Sequence, residues 1–156
     1  MARNGKVDYR DLRYFRENLE DKLSDDQIGE FIEACAKELA VRLLAKVIKR
    51  TPVGEYPSSS GKKGGTLRRG WTGEKRKSAQ AYANSLKVNR VGGAYVIEVI
   101  NPVEYASYVE YGHRTRNHKG WVEGKFMMTI SKRELERDAP RVLENKLKKK
   151  LEECLE

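Results

Sequence analysis

The chain has 156 residues and a formal net charge of +9, and this length fits one domain with a core of its own, so residues 1–156 are treated as a single domain. Charged residues make up 35% and apolar residues 38% of the chain, a polar balance that predicts exposed arms or loops. No membrane span is expected, because the chain lacks an apolar run of about 18 residues. Secretion by a cleaved signal is not expected either, because the start MARNGKVDY lacks the apolar stretch of a secretory signal.

Two helices are predicted on the N-terminal side. Apolar residues recur every three or four places over residues 8–23, which is the spacing of one helix face. Ser24 is followed three places later by Gln27, a capping-box pattern that predicts the start of a second helix. An apolar stripe then runs over residues 28–48, and it has to be covered because burying each large side chain contributes about 2 kcal/mol. Thr51 precedes a proline and therefore ends this helix.

A loop and a small antiparallel sheet are predicted next. Residues 54–66, GEYPSSSGKKGGT, are rich in glycine, serine and lysine and predict a long flexible loop. Residues 67–72 alternate in polarity, which predicts a strand, and residues 74–80 predict a turn. Apolar and polar residues also alternate on both sides of a glycine pair between residues 85 and 100. This pattern predicts a hairpin, to which the 67–72 strand adds.

Three tyrosines spaced three residues apart follow the predicted hairpin. Tyr105, Tyr108 and Tyr111 share one face of a short helical turn. Together with Phe126 they are predicted to form a packing core that joins the sheet to the C-terminal helix. Residues 113–124 predict a flexible basic loop that leaves the core to contact a partner.

The last part of the chain is predicted to be helical. Apolar residues recur at helical spacing over residues 126–155. Pro140 is predicted to start a new helical segment or to kink the helix, with Asp138 as the N-cap of that segment. The predicted fold is therefore α+β, with two N-terminal helices, a small antiparallel sheet with long exposed loops, and a C-terminal helix.

No set of residues in the sequence indicates a reaction, a metal or a cofactor. His113 and His118 are the only histidines, whereas structural zinc needs four ligands and catalytic zinc three plus water. Cys35 and Cys154 lie in helical patterns and are interpreted as small buried residues of a reducing compartment. The chain lacks a nucleophile elbow, a phosphate-binding loop and a zinc-protease motif. We therefore expect neither catalysis nor a bound cofactor.

The charges are distributed unevenly along the chain. Residues 61–77 carry seven basic side chains and one acidic, whereas residues 8–33 carry nine acidic and four basic. Such opposite poles suit head-to-tail self-association, although a solvated loop beside a solvated helix accounts for them equally well. Contact with nucleic-acid phosphates is a further interpretation. The candidate contacts to another subunit or to DNA are Lys62, Lys63, Arg68, Arg69, Trp71, Arg114 and Arg116.

Several short motifs occur in a characteristic order. They are TPVG at residues 51–54, GTLRRGW at 65–71, PVEYASYVEYG at 102–112, and Phe126 at the head of the last helix. In this order the chain resembles the tail-completion, or tail-to-head joining, family of long-tailed bacteriophages, which is labelled after gene product ten of a lambdoid phage. The resemblance covers residues 7–148, and its most specific part is the tyrosine–glycine segment. The chain departs from the family pattern in an insertion at residues 55–64 and in the residues before Phe126.

The resemblance implies structural work in a virion. Proteins of this family form a ring, six-fold or twelve-fold, between the tail tube and the head connector, and phage DNA passes through the lumen without being read. The resemblance therefore implies binding to further copies of the chain, to the connector or adaptor, and to the tail tube or tail terminator. It also implies synthesis in the host cytoplasm and a final place in the tail or neck, with no membrane contact. A basic nucleic-acid-binding module is the alternative interpretation.

Overall fold

The computed structural model describes Glu17, residues 20–73 and residues 77–156 of an α+β chain. Within these residues the helices are α1 (Asp25–Arg50), a 3₁₀ turn (Ser58–Ser60), α2 (Thr66–Gly70), α3 (Ala79–Ser85), α4 (Ala106–Tyr111) and α5 (Met127–Leu155). The strands are β1 (Asn89–Val91), β2 (Ala94–Val96), β3 (Gly112–Arg114) and β4 (Trp121–Glu123). The predicted α+β class is confirmed. Of the predicted helix over residues 8–23, Glu17 and residues 20–22 are helical, and most of the others lie outside the described residues.

Helix α1 begins and ends at the residues that its local chemistry predicts. The backbone N–H of Gln27 donates to Ser24 Oγ, and the backbone N–H of Ser24 donates to Gln27 Oε1, both at 3.3 Å, so the capping box is present. The helix ends at Thr51, whose backbone is extended because the next residue is a proline.

The core lies where α1 meets α2, α3 and the beginning of α5. Its buried apolar members are Ala40, Leu44, Val47, Leu67, Trp71, Ala83 and Met127. Helix α5 runs antiparallel to α1. Arg50 near the end of α1 binds Glu134 near the start of α5, and residues 27–34 near the start of α1 share a groove with residues 146–153 near the end of α5. The two long helices therefore form the frame on which the short elements pack.

Two predictions between the long helices are wrong. Residues 67–72 do not form a strand, because most of them belong to α2. Six residues of alternating polarity are too few to distinguish a strand from a short helix. Here the helix lets Arg68 and Trp71 both reach Thr51. The predicted turn over residues 74–80 is likewise replaced from residue 79 onwards by α3, which Ser78 caps by accepting a hydrogen bond from the Ala81 N–H at 3.1 Å. Residues 74–76 lie outside the described part of the chain.

The hairpin predicted around the glycine pair is present but shorter than expected. Strands β1 and β2 pair antiparallel around Gly92 and Gly93, both of which have positive φ, as a tight turn requires. Each strand has three residues, and no third strand of the described chain joins them. The sheet is therefore a two-stranded hairpin rather than the larger unit that was predicted.

Helix α5 is continuous through Pro140, so a new helical segment with Asp138 as its N-cap is wrong, and the alternative of a kink at Pro140 stays a prediction. Asp138 instead lies within the helix, where its carboxylate is 3.5 Å from Lys46 Nζ of α1. A proline inside a helix costs about 3 kcal/mol. Contacts with α1 on both sides of Pro140 offset this cost, since Glu134 precedes it and Val142, which follows it, is buried.

The two segments predicted as flexible loops have different structures. Residues 113–124 include the β3–β4 hairpin, whose turn is closed by hydrogen bonds from Thr115 N–H to Gly120 O at 3.0 Å and from His118 N–H to Thr115 O at 2.8 Å. Residues 54–66 contain the 3₁₀ turn and form an exposed loop. Residues 113–124 therefore form a hairpin, whereas residues 54–66 form a loop that contains one 3₁₀ turn.

Both cysteines are free thiols. Cys154 is buried and Cys35 is half-buried, and burial raises the pKa of the Cys35 thiol. A raised pKa leaves less reactive thiolate near neutral pH. Within the described ranges, no helix is both long enough and apolar enough to cross a bilayer.

Candidate assembly surface

Thr51 connects three segments at the end of α1. Its side chain is fully buried, and its hydroxyl oxygen accepts a hydrogen bond from Trp71 Nε1 at 2.7 Å while the hydroxyl donates to Val47 O at 2.6 Å. Arg68 donates through Nε and Nη2 to the Thr51 carbonyl at 3.1 and 2.7 Å. This places a cation at the negative end of α1.

Two of the predicted contact residues are therefore internal. Trp71 is 5% exposed and belongs to the core, and both hydrogen bonds from the Arg68 guanidinium go to Thr51 of the same chain. In the isolated chain Trp71 offers no surface to a partner, because its indole is needed to cover the end of α1. The sequence marks both residues only as basic or aromatic, which does not reveal this role.

The segment before α4 is attached to α2. Asn101 donates through Nδ2 to Leu67 O at 2.8 Å, and its Oδ1 accepts a hydrogen bond from the Val103 N–H at 3.2 Å. Gly70 faces the Asn101 side chain so closely that a Cβ at this position would overlap it. The approach of α4 to the core is thus set by a side-chain amide and by a glycine.

Glu110 connects α4 to the start of α5. The residue is 6% exposed, and its Oε2 accepts the Met128 N–H at 2.9 Å. Its Oε1 accepts the Thr129 N–H at 2.9 Å and the Thr129 hydroxyl at 2.7 Å. A carboxylate here satisfies N–H groups that have no partner within the helix and lies at the positive end of the helix dipole.

Two glycines allow the β3–β4 hairpin to leave this connection. Gly112 has φ +87°, and an added Cβ would meet Val122 O and Trp121 Nε1. A Cβ on Gly124 would overlap Glu110 O. The base of the hairpin is therefore held against α4 by backbone contacts that exclude larger residues.

We call Thr51, Arg68, Trp71, Asn101 and Glu110, each of which is hydrogen-bonded to another segment of the chain, the motif joint. Its members come from the four segments TPV, TLRRGW, NPV and VEYG. Each segment thus contributes a buried or half-buried hydrogen-bonding group rather than an exposed one. These members of the motifs make their contacts inside the chain, whereas the tyrosines and Phe126 of the same motifs are exposed.

The aromatic residues of the same segment lie on the surface. Tyr108, Tyr111 and Trp121 are 60%, 64% and 57% exposed, and Tyr105 and Phe126 are also exposed. The predicted packing core of the three tyrosines and Phe126 does not hold in the monomer.

The orientation of α4 explains this outcome. Ala106 and Val109 pack against the core and Glu110 caps α5. Helical spacing then directs positions 105, 108 and 111 away from the core.

These side chains form a mixed aromatic and basic surface. The rings of Tyr108 and His113 meet edge to face with centroids 6.0 Å apart. The hairpin adds the exposed basic side chains of Arg114, Arg116 and Lys119, none of which forms an ion pair with another described residue. We call Tyr108, Tyr111, His113, Arg114, Arg116, Lys119 and Trp121 the α4–hairpin surface.

The remaining predicted contact residues lie on or beside the 54–66 loop. Lys62 and Lys63 are exposed, and Lys62 Nζ lies 5.9 Å from the centroid of the Tyr56 ring. Lys63 and Tyr105 line a groove of about 310 Å³. Arg69 is exposed and donates to Gly64 O at 3.4 Å. The predicted basic cluster of residues 61–77 is therefore divided between this loop and the motif joint.

The long helices carry two charged surfaces, one within the predicted acidic pole of residues 8–33 and one, on α5, that sequence reasoning missed. Asp26, Glu30 and Glu33 are exposed, share one face of α1 by their spacing of four and three, and form no ion pair with another described residue. Lys146 and Lys149 of α5 line two grooves, one of about 490 Å³ with Arg42 and Arg141 and one of about 340 Å³ with Glu30. Counting charge by helix face rather than by segment would have found the surface on α5 as well.

The described residues contain no group of three or more histidine, cysteine, aspartate or glutamate side chains that could hold a metal ion. His113 lies in β3, and its Nδ1 is 2.9 Å from Arg114 O. His118 lies in the hairpin turn with φ +57°. What this region offers chemically is an array of aromatic rings and cations, which suits binding to a macromolecule.

A comparison with protein families matches residues 13–112 to the family HK97-gp10_like, described as "Bacteriophage HK97-gp10, putative tail-component". No curated protein matches the chain, and no solved structure matches it. The matched range covers more than half of the chain and ends at Gly112. It includes the motif joint and α4, whereas most of the hairpin and all of α5 follow it.

Proposed function

The chain belongs to the HK97-gp10-like family of bacteriophage tail components, and we propose that it is a structural protein that completes the tail or joins it to the head. In this proposal copies of the chain form a six-fold or twelve-fold ring in the tail or neck of the virion. The ring docks on the connector and on the tail tube or terminator, and DNA passes through its lumen. The chain needs no catalysis for this role.

The single observation that supports the proposal is the exposure of the α4–hairpin surface. Tyrosine, tryptophan and arginine dominate the binding energy of protein interfaces, and burying one such ring contributes about 1.5–3 kcal/mol. The motif joint holds α4 and the base of the hairpin in place through Glu110 and the close contacts at Gly112 and Gly124. A surface ordered before binding loses less conformational entropy when a partner covers it.

The test is a double substitution on this surface, Tyr108→Ala with Trp121→Ala. In a phage genome that encodes this chain and has lost its own copy, we expect the double variant to reduce infectious particles by about tenfold or more. The purified variant should keep the unfolding temperature of the wild type, because both side chains are exposed.

Val91→Ala is the matched control, since Val91 is an apolar residue that is 62% exposed on the other hairpin. This variant should complement fully. Normal particle yield from the double variant, with the chain incorporated at wild-type level, would contradict the proposal.

A nucleic-acid-binding module is the second candidate, and the basic groove of α5 favours it. Arg42, Arg141, Lys146 and Lys149 line that groove. If the groove neutralises DNA phosphates, the logarithm of the affinity should fall with the logarithm of salt concentration by about 0.9 per phosphate. Lys146→Glu with Lys149→Glu should then abolish duplex binding, and an unchanged affinity would remove this candidate.

A further inference from the structure

We propose that the β3–β4 hairpin of one copy docks on the acidic face of α1, Asp26, Glu30 and Glu33, of the next copy. The inference rests on the proposed function, because it identifies the two surfaces through which the copies associate. Its occupant is a second copy of this chain, bound head to tail.

The two surfaces have opposite charges, and neither forms an ion pair within the described chain. Glu30 shares a groove with Lys146 and Lys149 of α5 but is not paired with them. Arg114, Arg116 and Lys119 on the hairpin and the three carboxylates on α1 take no part in the ion pairs of the monomer. Further along α1, by contrast, Glu38, Arg42, Lys46 and Arg50 form ion pairs. Arg42 binds Glu38 at 2.9 Å, and Arg50 binds Glu134 at 2.7 Å. Two oppositely charged surfaces that form no ion pairs within one chain are suited to pair between two copies of it.

The hairpin cannot reach the acidic face of its own chain. Gly124 connects the hairpin to the start of α5, next to the end of α1. At 1.5 Å per residue, Glu33 and Asp26 lie about 25 and 36 Å from Arg50 along the helix. Half of the twelve-residue segment 112–123, fully extended, spans only about 20 Å.

Complementary patches at opposite ends of one chain produce a heterologous contact. Such a contact repeats from copy to copy and closes into a ring when the rotation between copies permits it. Both ends also expose apolar surface, Trp121 and Val122 on the hairpin and Ile28 near the start of α1. The contact can therefore combine apolar burial with charge pairing, as interfaces between subunits do.

The experiment uses two full-length variants with reversed charges. The first carries Arg114→Glu and Arg116→Glu, so that its hairpin and its α1 face are both acidic. The second carries Asp26→Lys and Glu33→Lys, so that both of its surfaces are basic. Each variant alone should lose assembly by about tenfold or more, because like charges then face each other at every contact.

An equal mixture of the two variants should recover assembly. In a ring of alternating variants every hairpin meets an α1 face of the opposite sign, and both proposed ring sizes are even. The readout is the mass of the purified mixture and, in cells expressing both variants, their incorporation into tails. Lys87→Glu with Arg133→Glu, at two exposed positions outside every candidate contact, is the control of equal charge change, and it should assemble as the wild type does.

The outcomes separate this inference from the proposed function. Normal assembly of either variant alone, or no recovery in the mixture, overturns the hairpin contact while the wild type still enters tails. Absence of the wild type from virions overturns the proposed function itself. If the acidic-hairpin variant loses duplex DNA binding while the basic-helix variant assembles normally, the hairpin binds DNA and the inference is wrong. The unfolding temperatures of both variants must stay within a few degrees of the wild type for the recovery to be compared.

Discussion

Neighbouring residues of the YASYVEYG segment have opposite environments. Glu110 is 6% exposed and caps α5, whereas Tyr111 beside it is 64% exposed. Within this segment the carboxylate is buried as part of the motif joint, and Tyr108 and Tyr111 belong to the exposed α4–hairpin surface. From hydropathy alone the carboxylate would be expected in solvent and the tyrosines in the core.

The difference shows how a buried charge is accommodated. Desolvating a carboxylate is costly unless it is hydrogen-bonded. Glu110 accepts three hydrogen bonds at the N-terminus of a helix of 29 residues. A carboxylate offers two acceptor oxygens to these groups, whereas a tyrosine offers one, and Tyr108 and Tyr111 lie in solvent.

Removing the carboxylate should have the largest effect. Glu110→Ala leaves the Met128 and Thr129 N–H groups without their acceptor and should lower the free energy of unfolding by about 3 kcal/mol. Chemical denaturation measures this change. The exposed Glu104→Ala is the control and should stay within about 0.5 kcal/mol of the wild type. Equal effects of the two substitutions would show that the cap does not stabilise the chain.

A smaller effect is expected at the other end of the joint. Thr51→Val keeps the shape of the side chain but removes the acceptor of Trp71 Nε1, and should cost about 1–3 kcal/mol. Thr66→Val, at an exposed threonine, should change stability by about 0.5 kcal/mol or less. The quenching of Trp71 fluorescence on denaturation gives the two midpoints. Coinciding midpoints would mean that Thr51 does not anchor Trp71.

A pH-dependent effect is expected between the long helices. Hydrogen bonds from Arg50 and then Lys46 lower the pKa of Glu134. Its contribution to stability is therefore complete above the ordinary glutamate pKa of about 4.3 and is lost as pH falls through the lower folded value. Glu134→Gln should be less stable than the wild type at neutral pH, with the difference shrinking in acid. Unfolding midpoints measured from neutral pH down to about pH 3 test this, and a difference that does not shrink would refute it.

The smallest effect on stability belongs to the exposed rings. Tyr111→Ala should change the free energy of unfolding by about 0.5 kcal/mol or less, because the side chain is mostly in solvent. Its incorporation into tails should nevertheless fall, and quantifying the chain in purified tails measures this. A large loss of stability in Tyr111→Ala would mean that Tyr111 stabilises the fold, as the motif joint does. Incorporation of the variant into tails at the wild-type level would mean that Tyr111 is not part of the proposed interface.

Part of the candidate surface could be predicted from the sequence. Arg114 and Arg116 were predicted as contacts and are exposed, although their contact with a partner stays a prediction. Trp71 and Arg68 were chosen for the same chemistry and lie inside. Charge and aromaticity identify residues that are able to bind a partner, but only burial separates those that already have one within the chain.

By itself the sequence determined the bounds of α1 and the position of the β1–β2 turn. Both depend on local chemistry, the Ser24–Gln27 capping box and the proline after Thr51 in one case, and adjacent glycines in the other. Only the tertiary structure decided that residues 66–70 are helical, that α5 continues through Pro140, and that the tyrosines face outward. Those outcomes depend on hydrogen bonds and ion pairs between residues 17 to 88 positions apart, whose energies no local pattern contains.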